Sequence, residues 1–108
     1  MTRAARLRRS DDIARVRAEG RAYRRESFTA RVRQSELSQT RLAVTASRAV
    51  GRSVSRNRAR RRVREAFRRA SATARPLDVF VTVRREALAT DFGTLERDAR
   101  AVLAEAGA

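Results

Sequence analysis

Residues 51–69 read GRSVSRNRARRRVREAFRR. The slightly wider window 48–69 holds ten arginines, and Glu65 is its only acid. Within this charge an apolar residue still returns every three or four positions: Ala59, Val63, Ala66, Phe67 and Ala70. That spacing is the period of one helix face, and it predicts an amphipathic helix of about four turns with Ser53 or Ser55 as its cap. The apolar stripe gives the helix a face to dock on a sheet, and strands are legible on both sides of it. Upstream, RLAVTAS alternates, with Leu42, Val44 and Ala46 on one face. Downstream, Pro76 marks a loop, and DVFVTV reads as a strand buried on both faces, hence a central one.

Further out, SFTARVR also alternates: Phe28, Ala30 and Val32 face one way, Thr29, Arg31 and Arg33 the other. Tyr23 lies in a short basic stretch with the character of an edge strand. Ser10, followed by Asp11 and Asp12, suits the start of a first helix, with Ile13 and Val16 as its apolar edge and Gly20 as its stop. Phe92, Leu95, Ala99, Val102 and Leu103 form a last helix capped by Thr90 or Asp91. The expected architecture is α+β: a small sheet of about four strands packed with three helices, in the order α-β-β-β-α-β-α. No linker, repeat or low-complexity tract divides residues 1–108, so one domain is expected.

The charge needs its own explanation. Formal net charge is +15, and all 27 basic residues are arginine. On the predicted helix, Arg56–Arg60, Arg58–Arg62, Arg60–Arg64 and Arg64–Arg68 are like-charge pairs four apart, and Arg58–Arg61 and Arg61–Arg64 are pairs three apart. At about 0.2–0.5 kcal/mol each they oppose folding by on the order of 1–3 kcal/mol, which Glu65 offsets in part. A solvated face has no use for such crowding, whereas a polyanion does: neutralised phosphates release counterions. The charge is concentrated in the first two-thirds of the chain, while residues 70–108 carry five arginines against six acids.

Cysteine and histidine are both absent. Disulfides and thiolate metal sites are thereby excluded, as is the commonest general base. An enzyme working through its own acid–base side chains is disfavoured. No apolar run reaches the length of a membrane span, and MTRAARLRR lacks the core of a signal peptide, so no membrane association and a cytoplasmic location are expected.

The segment SRAVGRSVSRNRARRRVREAF, placed after an alternating strand and before a central one, resembles the protein subunit of bacterial ribonuclease P. The resemblance is carried by Arg56-Asn57-Arg58, the pair Arg60-Arg61 and Arg64-Glu65, with Ser47-Arg48 and Val50-Gly51 upstream. LRRSDDIARVRAEG, LDVFVTVR and FGTLERDARAVL are similar to the family's first helix, last strand and last helix. The resemblance implies a small basic protein bound to a catalytic RNA, whose holoenzyme removes the 5′ leader of precursor tRNA with Mg²⁺ held mainly by the RNA. It implies ribonuclease P RNA and precursor tRNA as partners, with no protein partner required, and a left-handed β-α-β crossover around the motif. It assigns RNA contact to Arg56, Asn57, Arg58, Arg60, Arg61, Arg64 and Arg68. It places Ser47, Arg48, Arg52, Ile13, Arg17 and Arg31 at the leader cleft, and it assigns no catalytic or metal-binding residue to the protein.

The chain departs from the family at Ile13, Arg17 and Arg31, where aromatic residues are usual. A guanidinium plane can also stack on a base. Phe28, on the apolar strand face, is expected in the core. The runner-up reading is a ribosomal or other structural RNA-binding protein without nuclease function. A DNA-binding factor would need a helix displaying base-reading side chains. A free-standing nuclease would need clustered carboxylates, whereas the acids here are scattered.

Overall fold

The arginine-rich segment forms the longest helix of the molecule. In a computed structural model describing residues 5–72 and 75–107, this helix, α2, spans Ser53–Ser71. It runs more than a turn beyond the length expected, and neither serine caps it: Arg52 occupies the cap position without a side-chain hydrogen bond. The stripe is as read, with Ala59, Val63, Ala66, Phe67 and Ala70 all buried. The amino-terminal residues 1–4, read above as free of a signal segment, lie outside the described residues.

In chain order the other elements are β1 (Ala5–Arg6), α1 (Ser10–Glu19), β2 (Arg21–Arg24), β3 (Phe28–Gln34), β4 (Arg41–Ala46), β5 (Leu77–Val83) and α3 (Phe92–Gly107). Short 3₁₀ turns at Arg48–Val50 and Arg85–Leu88 precede α2 and α3. The sheet has five strands in the order β1-β4-β5-β3-β2, one more than expected. The addition is β1, two residues long and parallel to β4. A two-residue strand has no alternation to detect, and its pairing partner lies some 36 positions downstream. β4 and β5 are adjacent and parallel, joined through α2, while β3 is antiparallel to both β5 and β2.

β5 is central, as read, but it is not apolar on both faces. Leu77, Val79, Val81 and Val83 are buried in the main core, whereas on the other face Asp78 is buried, Phe80 half-buried and Thr82 exposed. The core lies between the sheet and the pair α2 and α3. At its centre Phe28 and Phe67 meet edge to face, with centroids 5.0 Å apart. Phe28 is fully buried there, and Tyr23 lies on the same face of the sheet. α3 starts with Asp91 accepting from the Thr94 amide at 3.3 Å, the cap expected.

Among the described residues the opposite face carries only α1. Ser10 does not cap it, since Arg9 holds that position without a side-chain bond. Gly20 ends it, and the reason is space rather than a left-handed backbone. A Cβ on Gly20 would stand 2.4 Å from the Val16 carbonyl oxygen and 3.2 Å from the Val32 amide. The missing side chain lets the helix end rest on the β3 backbone. Asp12 then ties α1 to the sheet. Arg41 donates to both Asp78 carboxylate oxygens, at 2.9 and 2.7 Å, and to Asp12 Oδ2 at 3.0 Å. The Arg41 guanidinium is pushed further up by its Asp78 hydrogen bonds, with Asp12 adding to the effect against the cost of burial. Among the described residues no buried side-chain polar atom lacks a partner.

Candidate nucleic-acid interface

The helices on its two sides give the sheet two different outer surfaces. α2 seats its apolar stripe on the core face and turns its cations outward. Arg58 and Arg61 are exposed, and Arg56, Arg60 and Arg64 are half-buried along one flank. Asn57 is exposed and accepts from the Arg60 guanidinium, which orients that arginine along the helix. Arg56 donates to Ser53 Oγ at 3.2 Å and to the Gly51 carbonyl at 3.5 Å, bracing the start of the helix. Gly51 has φ 135°, a conformation other residues rarely adopt, and it allows the chain to turn from the 3₁₀ segment into α2.

Not every motif cation is equally free. Arg68 is held by Glu65, through Nε at 2.9 Å and Nη2 at 2.5 Å. Glu65 also accepts from Arg69 at 3.0 Å, and these two guanidiniums, Arg68 first, hold its carboxyl at about 2, below the ordinary 4.5. Glu65 has four arginines three or four positions away on the helix, yet Arg61 stays exposed and Arg62 turns the other way. Arg62 reaches α3's approach, donating Nε to the Ala87 carbonyl at 3.2 Å and Nη2 to that of Thr90. It is a strut between α2 and the turn before α3.

The second surface is the α1 face. Strand register arranges its side chains in rows. Arg33, Asp78 and Arg41 form one row, Arg31, Phe80 and Ala43 the next, and Thr29, Thr82 and Thr45 the third. α1 covers the first row. Beside it, Ala14, Arg17, Ala18 and Arg31 line an open groove of about 400 Å³. Arg17 lies over the Phe80 ring, 5.4 Å from its centroid, a cation–π contact that seats the guanidinium against the sheet. Ile13 is half-buried and is not among the residues lining this groove.

The threonine row opens into a second groove of about 430 Å³, lined by Thr29, Ser47, Thr82, Arg84 and Arg85 among others. The fold thus brings Arg17 and Arg31 together at one end of this face and Ser47 to the other. Arg48 and Arg52 are exposed where the chain passes from β4 round to α2. Tyr23 and Phe28 face the core and take no part. Thr82, Arg84, Arg85 and Phe80 were missed by the sequence reading. Alternation along β5 separates Thr82 and Phe80 from the core residues, but only the register shows that they share a surface with Arg31 and Thr29.

Among the described residues no group of three or more acidic side chains gathers as a metal site, and no helix is long and apolar enough to cross a membrane. The chemistry available is cationic and hydrogen-bonding, suited to phosphates and unpaired bases.

Comparison with known proteins agrees with this geometry. No curated protein sequence matches the chain at a significant level. Among solved structures, the Staphylococcus aureus RNase P protein superposes with a TM-score of 0.79 at 23% identity, covering 97% of this chain and 99% of that one. The Thermotoga maritima RNase P protein superposes with a TM-score of 0.79 at 28% identity, covering 93% and 96%. The same Thermotoga protein in complex with 1-(4-fluorophenyl)-2-thiourea gives 0.77 at 30% identity, covering 91% and 96%. The family model for ribonuclease P matches residues 1–107, and the chain belongs to that family.

Proposed function

We propose that this chain is a single RNA-binding domain, the protein component of ribonuclease P, and that it serves two RNAs from two faces. The exposed arginines of α2, with Asn57, take the catalytic RNA. The groove between α1 and the sheet, from Arg17 and Arg31 to Ser47, takes the single-stranded 5′ leader of precursor tRNA. The observation that carries this reading is the separation of the two surfaces by the thickness of the sheet: one chain can hold both RNAs without competition. Family membership supports the pairing with ribonuclease P RNA and precursor tRNA.

The protein's own residues neutralise, orient and separate phosphates, and among the described residues no carboxylates gather as a metal site. In this reading catalysis falls to the RNA, which would hold the Mg²⁺ that activates water and stabilises the leaving oxygen. Arg17 and Arg31 offer guanidinium planes to leader bases or phosphates, and the threonine row offers hydroxyls. The working place is the cytoplasm, where the two RNAs are made.

The test is reconstitution. Purified protein, freed of RNA, is added to a bacterial ribonuclease P RNA at low Mg²⁺ with precursor tRNA. Protein alone is expected to be inactive, and RNA alone slow, while the mixture cleaves at the mature 5′ end. Cleavage by the protein alone, or no stimulation of the RNA, overturns the reading. Tight binding to ribosomal RNA without stimulation would favour a structural RNA-binding protein.

A further inference from the structure

Strand β1 changes what the flank of α2 contains. Arg6 is registered opposite Leu42, and the Leu42 side chain is buried in the main core beneath α2. Residues paired across a sheet share a face, so Arg6 stands on the α2 side at the sheet's outer edge. Arg60 and Arg64 each follow a fully buried residue of the helix stripe, Ala59 and Val63, and so flank the same seam. Burial first, then the positive charges of Arg6 and Arg60, push the Arg64 guanidinium below its usual range. None of the ion pairs among the described residues involves Arg6, Arg60 or Arg64. Other partly buried arginines have an acid, as at Arg41 and Arg68, or backbone carbonyls, as at Arg62.

We propose that Arg6, Arg60 and Arg64 form one phosphate-binding site, built by a strand and a helix together, that grips a single backbone phosphate of the catalytic RNA. The proposal rests on the ribonuclease P reading for the identity of the RNA, and it adds a residue, Arg6, that lies outside the helix motif. Three guanidiniums with no acid between them repel one another in the free protein. A phosphodiester between them reverses the sign of the interaction and accepts from two or more donors at once.

Two arms test it. In the first, thermal melts of the free protein are recorded in inorganic phosphate and in chloride at matched ionic strength. Phosphate is expected to raise the melting temperature of the wild type more than that of Arg6→Gln, and in chloride Arg6→Gln is expected to melt no lower than wild type. An equal phosphate effect on both proteins, or a lower melting temperature for the variant in chloride, overturns the site. In the second arm, affinity for a bacterial ribonuclease P RNA is measured for Arg6→Gln, Arg64→Gln, the double variant and Arg97→Gln. Each single change at the site is expected to weaken binding by about three- to tenfold, the share of one phosphate contact. The double variant is expected to lose less than the product of the two, because both residues serve one phosphate. Arg97→Gln is expected to bind as wild type. Full multiplicativity, or no loss with Arg6→Gln, overturns the shared site. Failure of wild-type protein to bind this RNA at all, with the first arm intact, would overturn the identity of the partner instead.

Discussion

Arg61 and Arg62 are neighbours on α2 with opposite fates. Arg61 is exposed to solvent, whereas Arg62 donates to the Ala87 and Thr90 carbonyls and locks α2 to the turn before α3. Arg62→Ala leaves those carbonyls without their charged donor and is expected to lower stability by about 1.5–3 kcal/mol in denaturant melts. Its effect on the salt dependence of RNA binding is expected to be nil, and Arg61→Ala is expected to show the reverse pattern. In the sequence both are simply helix arginines. What distinguishes them is a carbonyl pair delivered from 25 and 28 residues downstream, which no local pattern records. Glu65 gives a second prediction. Its carboxyl sits at about 2 in the folded protein against an ordinary 4.5. A depressed carboxyl contributes stability that is fully present above its unfolded value and is lost as pH falls through its folded value. The pair is largely solvated, so Glu65→Gln is expected to cost only about 0.2–1 kcal/mol at neutral pH. The gap between variant and wild type should close as pH falls from 4.5 towards 2, followed by melts across that range.

The elements divide by how local their signals are. β3 and β4 announce themselves by alternation, β5 by its apolar run, and α2 and α3 by helical period, so most of the sheet could be written from the residues alone. β1 could not, and with it went Arg6. The caps were read from residue type at Ser10, Ser53 and Ser55, yet these helices begin without side-chain caps, and only Asp91 caps as expected. The acid at Asp78 broke the apolar reading of β5, and its reason is the placement of α1. Arg41→Leu would strand Asp78, whose side chain is 3% exposed, and is expected to cost about 3–5 kcal/mol. Asp12→Ala touches a more solvated pair and is expected to cost less. Its signature should be faster amide exchange in α1 while the central strands stay protected. The groove beneath α1 carries a functional test of its own. Arg31→Tyr is expected to keep much of the leader's contribution to precursor tRNA affinity, since stacking is worth about 1–3 kcal/mol per base, while making that contribution less sensitive to salt. Measuring affinity with and without a leader across a salt series decides it. An unchanged salt dependence would place Arg31 away from the leader backbone.

At the scale of the whole molecule, folding works against the charge. A net +15 is carried by 108 residues, and a domain of this size has only a modest core. The fold sets its few acids on arginines, both between elements, as with Asp12 and Asp78 on Arg41, Glu96 on Arg69 and Glu105 on Arg25, and within one helix, as with Glu65 on Arg68 and Arg69 and Glu96 on Arg100. That leaves the outward flank of α2 and the sheet edge at Arg6 uncompensated in the free chain. An anion that binds only the folded state stabilises it by mass action. Sulfate or phosphate is therefore expected to raise the melting temperature more than chloride at equal ionic strength, and the rise should grow with anion concentration in the manner of a site. General screening would instead depend on ionic strength alone, whatever the anion. A melting temperature indifferent to the anion would mean that the repulsion is diffuse. It would also remove the reason for expecting RNA phosphates to order this surface.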